Sequence, residues 1–108
     1  MHILSRSEEI VLLAILYLKE NAYGVSIRQR VLETTGYEWS VGAVYAPLHR
    51  LIKKGYVSSK KGTPVAERGG RSKVYYRVTA AGKKALLQIK NVSTRIWQDV
   101  SAPELKEF

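Results

Sequence analysis

The chain has 108 residues, 45% of them apolar and 25% charged, the balance of one globular domain with no room for a second core. It has no cysteine, which excludes disulfides, thiolate catalysis and cysteine-ligated zinc, and its two histidines, His2 and His49, are too far apart in sequence to suggest a metal cluster. Eighteen Lys and Arg against nine Asp and Glu give a net charge of +9 and a pI near 9.9, which favours an anionic partner.

The first predicted element is a helix over about 7–21, with Ser7 as its cap and Glu8 and Glu9 at the positive end of its dipole. Its apolar run, Ile10 to Leu18, covers nine residues, under half of the ~20 needed to span a bilayer. The run follows two acids rather than a basic leader, and no small-residue cleavage site comes after it. It therefore reads as a buried helix of a cytoplasmic protein with no membrane role. It is apolar almost all round, and a domain of this size rarely covers such a helix alone. A second copy of the chain is the expected cover.

A second helix is predicted from about Gly24 to Thr35, with Tyr23, Ile27 and Val31 on one stripe and Gly36 closing it. Tyr37 to Trp39 reads as a short extended stretch, with Trp39 as a core anchor. Ser40 then caps a third helix that ends before Gly55. Its core-facing stripe is Val44, Leu48, Leu51 and Ile52. The opposite face carries Gly42, Ala43, Ala46, Arg50 and Lys53: small residues first, cations last. Such a face lets the helix axis approach something anionic closely.

Two strands follow, Tyr56 to Lys60 and Val74 to Val78, the second alternating Val74, Tyr76 and Val78 against Tyr75 and Arg77. The segment GTPVAERGGRSK between them has the glycine, proline and basic content of an exposed loop. Thr79 caps the last predicted helix. Its stripe of Ala85, Leu86, Ile89, Val92, Ile96 and Val100 spans about four turns, and Pro103 is expected to end it.

Three helices followed by a basic-tipped hairpin is the order of a winged helix-turn-helix. From Arg50 to Lys90 there are twelve basic residues and one acid, Glu67, so the positive charge is localised on the third helix, the hairpin and the start of the last helix. The expected fold class is α+β, mostly α: a winged helix-turn-helix with a two-stranded wing and a C-terminal dimerisation helix. Residues 1–78 would form the DNA-binding part and 79–108 the dimerisation helix and tail, as one compact unit. The third helix would enter the major groove of double-stranded DNA with Val41, Gly42, Ala43 and Ala46. Arg50 and Lys53 would reach phosphates on the groove wall, and Arg68, Arg71 and Lys73 at the Gly-Gly hairpin tip would contact the backbone or minor groove.

At this point SVGAVYAPLHRLIKKGYV, followed by GTPVAERGGRSKVYYRVTAAGKKAL, resembles the PadR family of transcriptional regulators, and NAYGVSI at the second helix fits the same pattern. The resemblance runs from Glu8 to about Leu87. It implies a dimeric winged-helix regulator, usually a repressor, whose last helix packs against the first helix of its partner. It carries onto Ser40, Gly42, Ala43 and Tyr45 as the entrance to the recognition helix and onto Arg71 and Lys73 as cations of the wing. Many members have proline directly after the tyrosine; here Ala46 intervenes and the proline is Pro47, which cannot donate to the carbonyl of Ala43, so a local bend is expected. The last helix is short for the family, as in its compact members.

Several positions admit two readings. Tyr45 fits both a DNA contact and the edge of the buried stripe, and His49 is exposed or phosphate-contacting rather than a metal ligand. Ile10 and Leu13 of the first helix, with Leu86, Ile89, Val92, Ile96, Trp97 and Val100 of the last, form the expected dimer interface. Trp97, with Ile96, either packs that interface or lines a pocket for a small-molecule effector at its centre. No nucleophile-base pair, paired carboxylates or phosphate-cradling glycine loop is visible, so neither an enzyme nor a cofactor is expected. The alternative function is a winged-helix module that binds RNA or a protein partner, because fold alone does not fix function.

Overall fold

A computed structural model of the chain describes residues 3–62 and 73–107. Helix α1 covers Arg6–Leu18, and its cap is Ser5 rather than the expected Ser7. The Ser5 hydroxyl accepts the Glu8 N–H at 3.2 Å while the Glu8 carboxylate accepts the Ser5 N–H at 2.8 Å, a reciprocal capping box. Ser7 lies inside the first turn because Glu8 sits three residues after Ser5, not after Ser7. Lys19, at φ +54°, ends the helix, and a 3-10 turn, Lys19–Asn21, follows.

Helix α2 covers Gly24–Thr35 and stops at Gly36, whose φ of +77° suits glycine and whose N–H bonds to the Leu32 carbonyl at 2.9 Å. Ser40 caps α3, Val41–Lys53, by accepting the Ala43 N–H at 3.1 Å. The helix continues through Pro47, whose ring is buried on its core side. Strands β1, Val57–Lys61, and β2, Val74–Val78, pair antiparallel in the register Val57–Val78, Ser59–Tyr76 and Lys61–Val74, with β1 one residue later than its sequence pattern indicated. Tyr37 to Trp39 joins no strand. The sheet edge is instead met by the segment before α2: Tyr23 bridges Tyr75, and the Tyr76 N–H donates to the Ala22 carbonyl at 2.8 Å.

Thr79 caps α4, Ala80–Gln98, accepting the Gly82 N–H at 3.1 Å and donating to the Gly55 carbonyl at 2.7 Å. Gly82 is required there, since a Cβ would run into the Tyr56 carbonyl oxygen and the Val78 side chain. Two expectations fail at the end of this helix. It stops at Gln98, so Val100 lies beyond it, and Pro103 sits in the first turn of a short α5, Ala102–Leu105, instead of terminating α4.

The core lies where α1 crosses the others. Val11, Leu12 and Ile15 of α1 meet Ile27 and Val31 of α2, Val44, Leu48 and Leu51 of α3, and Val57, Tyr76 and Val78 of the sheet. Each fully buried aliphatic side chain contributes about 1.5–3 kcal/mol. The core therefore fixes α3 from behind, along one face only.

Candidate nucleic-acid interface

With Val44, Leu48 and Leu51 turned inward, α3 exposes Val41, Gly42, Ala43, Ala46, His49, Arg50 and Lys53. Ser40, at the cap, is exposed as well. The first two turns of this face carry no side chain larger than valine on the outside, apart from the half-buried Tyr45. The last turn carries two cations, and the helix has no acid. A helix about 10–12 Å across fits a major groove about 12 Å wide, and short outward side chains let its axis come closer to the base edges. The positive end of the helix dipole lies at this low-profile end.

Tyr45 is not a free surface group. Its ring end lies so close to Gly24 that a Cβ on that residue would collide with the hydroxyl, and its ring centroid is 5.9 Å from that of His49. Glycine at the first position of α2 thus lets Tyr45 lock the seam between α2 and α3. The turn joining these helices is held by Arg28, whose Nε donates to the Trp39 carbonyl at 2.6 Å and whose guanidinium pairs with Glu38 at 3.5 Å.

At the trailing end of α3 the structure places a residue that the sequence reading assigned only to the helix dipole. Glu8 is 2% exposed. Its Oε2 accepts a hydrogen bond from Lys54 Nζ at 2.7 Å and forms an ion pair with Arg50 Nε at 3.4 Å, and Arg50 Nη2 also reaches the Ser7 hydroxyl at 3.4 Å. Burial alone would raise the Glu8 pKa. Hydrogen bonds from Lys54 and Ser5 and the Lys54 charge outweigh it, lowering the pKa from its ordinary 4.5 to about 2. Arg50, expected to face phosphate freely, is thus tethered on one side. The available signal was the Ser5-x-x-Glu8 capping pattern.

In the hairpin stem, the Gly62 N–H donates to the Lys73 carbonyl at 2.7 Å, closing the last rung. The Lys73 ammonium rests 3.9 Å from the centre of the Tyr23 ring, which in turn stacks edge-on with Tyr75 at 5.7 Å. Lys73 is therefore brought to the start of α2. Arg68 and Arg71 lie outside the described residues.

A second uncovered surface is apolar. Leu13 (47% exposed), Leu16 and Tyr17 on α1, and Ile96 (66%) and Trp97 (55%) on α4, face outward, with Val100 just beyond. Ile10 and Ile89 pack partly on the core, and Val92 is half-buried. Leu86 packs in its own chain's core and keeps only 8% of its surface exposed. Among the described residues, no group of three or more His, Asp or Glu side chains is placed to hold a metal ion, and no helix is long and apolar enough to cross a membrane.

Residues 12–88 match the model of the transcriptional regulator PadR-like family. A PadR family transcription regulator from hypervirulent Clostridium difficile R20291 is 28% identical, with a TM-score of 0.68 over 91% of this chain and 97% of that one. A PadR-like transcriptional regulator, BC4206, from Bacillus cereus strain ATCC 14579 shares the fold at 21% identity, with a TM-score of 0.71 over 94% and 91% of the two chains. A transcriptional regulator from Clostridium thermocellum does so at 24% identity, with a TM-score of 0.67 over 88% and 90%. No curated protein matches the chain at a significant level.

Proposed function

Since the chain belongs to the PadR-like family of transcriptional regulators, we propose that it regulates transcription as a cytoplasmic homodimer that binds a palindromic operator in duplex DNA. The observation that carries this reading is the exposed face of α3, low at its start and cationic at its end. Gly42, Ala43 and Ala46 lie against base edges in the major groove, flanked by Ser40, Val41, Tyr45 and His49. Arg50 and Lys53 meet phosphates, and Lys73, with Arg68 and Arg71, extends the contact to the neighbouring backbone or minor groove.

Residues 1–78 read the DNA and 79–108 join the copies. Leu13 of α1 packs on Ile96 and Trp97 of the partner's last helix, with Ile10, Ile89, Val92 and Val100 around them. A two-fold dimer presents two recognition helices, so the operator is a palindrome with half-sites about 34–36 Å apart, one helical turn. Repression, by occupying sequence that polymerase needs, is the mode that the family resemblance implies. A small-molecule effector would bind beside Trp97, where the two copies meet.

Selection from a random duplex pool tests the proposal. The bound fraction should converge on one palindrome, which the protein retards in preference to unrelated duplex, single strands and duplex RNA. Equal retention of all four, or a preference for RNA, would refute it.

A further inference from the structure

We propose that Glu8 is a positioning residue for DNA binding: it holds the Arg50 guanidinium, at the trailing end of α3, in the attitude in which it meets a backbone phosphate. The inference rests on the DNA-binding reading above and goes beyond it, because Glu8 lies on α1, outside the recognition helix and the wing.

A buried carboxylate needs a cation, and Lys54 supplies one at 2.7 Å, directly after the last residue of α3. Arg50 is a second cation on the same oxygen, and it arrives through Nε at 3.4 Å. A guanidinium ion-paired with Glu8 through Nε and donating through Nη2 to the Ser7 hydroxyl keeps donors on its outer edge. That edge is open, since the Arg50 side chain is 48% exposed. An arginine lying free on a helix surface must be ordered when it binds; this one is ordered beforehand. Electrostatics alone argues against a carboxylate here. It cancels one of two positive charges on a face that would otherwise attract phosphate more strongly, so its benefit to binding is geometric.

The proposal separates specific from non-specific binding. On random duplex any attitude of Arg50 serves and only charge counts; on the operator, the attitude counts as well. Wild type, Glu8→Gln, Arg50→Ala and Arg50→Lys should be titrated on the selected palindrome and on random duplex of equal length, with circular dichroism as the fold control. Glu8→Gln should hold or tighten random binding, having lost a negative charge, yet lose about tenfold on the palindrome, the size of one charge-assisted hydrogen bond. On an Arg50→Ala background the same change should cost nothing further on the palindrome. Arg50→Lys keeps the charge and alters only an exposed side chain, so it tests the idea even if Glu8→Gln does not fold. A lysine cannot hold Glu8 and offer a second donor edge, so it should lose clearly more on the palindrome than on random duplex. Arg50→Lys binding the palindrome like wild type, or Glu8→Gln changing both duplexes by one factor, overturns the positioning role alone. A wild type that retards no duplex overturns the DNA-binding reading with it.

Discussion

Replacing Glu8 with Gln should give a stability defect that depends on pH in a way fixed by the surroundings of this carboxylate. Gln retains an oxygen to accept the Ser5 N–H, so the cap of α1 survives and the change removes mainly the charge. In the folded chain the carboxylate titrates at about 2, against an ordinary value of 4.5. Burial opposes this drop, and the hydrogen bonds of Lys54 and Ser5 produce it. At 1.36 kcal/mol for each pH unit, the charged form stabilises the fold by about 3 kcal/mol. Because the folded pKa lies below the unfolded one, this contribution is complete above pH 4.5 and disappears as pH falls towards 2. Urea unfolding of both proteins at pH 7, 5.5, 4, 3 and 2.5 reads it directly, since all other carboxylates cancel in the difference. The gap should be flat from pH 7 to about 5, narrow below 4.5 and fall to roughly a quarter of its full size at pH 2.5. It should also persist in 1 M salt, which screens exposed charges far more than buried ones. A gap that does not change with pH, or one that closes above pH 5, would show that Glu8 acts through packing and that the buried ion pair has been misjudged.

Four other tests probe the remaining surfaces. Ala46→Glu, on the exposed face of α3, should abolish retardation of the operator while changing unfolding stability by no more than about 1 kcal/mol; normal retardation would mean that another face reads the DNA. Gly24→Ala should cost about 1–2 kcal/mol by displacing the Tyr45 ring, and adding Tyr45→Phe should recover most of it, as a double-mutant cycle would show. Lys73→Ala should lower the slope of log affinity against log salt by about 1–2, one wing contact on each copy at ~0.9 apiece; an unchanged slope removes Lys73 from the interface. Leu13→Glu with Ile96→Glu, both exposed in the single chain, should convert the proposed dimer to a folded monomer in sedimentation at micromolar concentration.

Where a boundary is set by local chemistry, it was legible in the sequence. Gly36 ends α2 because the chain needs a positive φ there, and Ser40 and Thr79 cap their helices through hydroxyls that accept the N–H three residues on. The exposed face of α3 was also legible, because Val44, Leu48 and Leu51 fix by their spacing which side is buried. Local signals misled where two residues competed. Ser5 and Ser7 both suit a cap, and the choice falls to Ser5 because Glu8 can close the box only with it. Pro103 suits the first turn of a new helix as well as the end of an old one. The Glu8–Arg50–Lys54 node was not legible at all as a contact. Its partners lie 42 and 46 residues apart in sequence, and only the crossing of α1 over α3 brings them together. Leu86 shows the reverse limit: a regular stripe does not reveal which part of it the chain covers itself.

That last point bears on how α4 holds its shape. Its buried residues, Gly82, Ala85 and Leu86, all lie in the first half, and among the described residues beyond Ile89 none is more than half-buried in the single chain. Lys90–Gln98 is nine residues long and includes Asn91, Val92, Ser93 and Thr94, all indifferent helix formers. In water, a helix shorter than about 12–15 residues is marginal on its own, so little beyond the anchored first half keeps this segment from fraying. In a dimer it would be ordered by the partner, and association would then include a coil-to-helix transition. The amides of Lys90–Gln98 would exchange with solvent quickly in dilute protein and slowly in concentrated protein, while those of α1 remained protected in both. Warming would weaken association and melt this half-helix together, and operator occupancy would rise more steeply than in proportion to the amount of protein present.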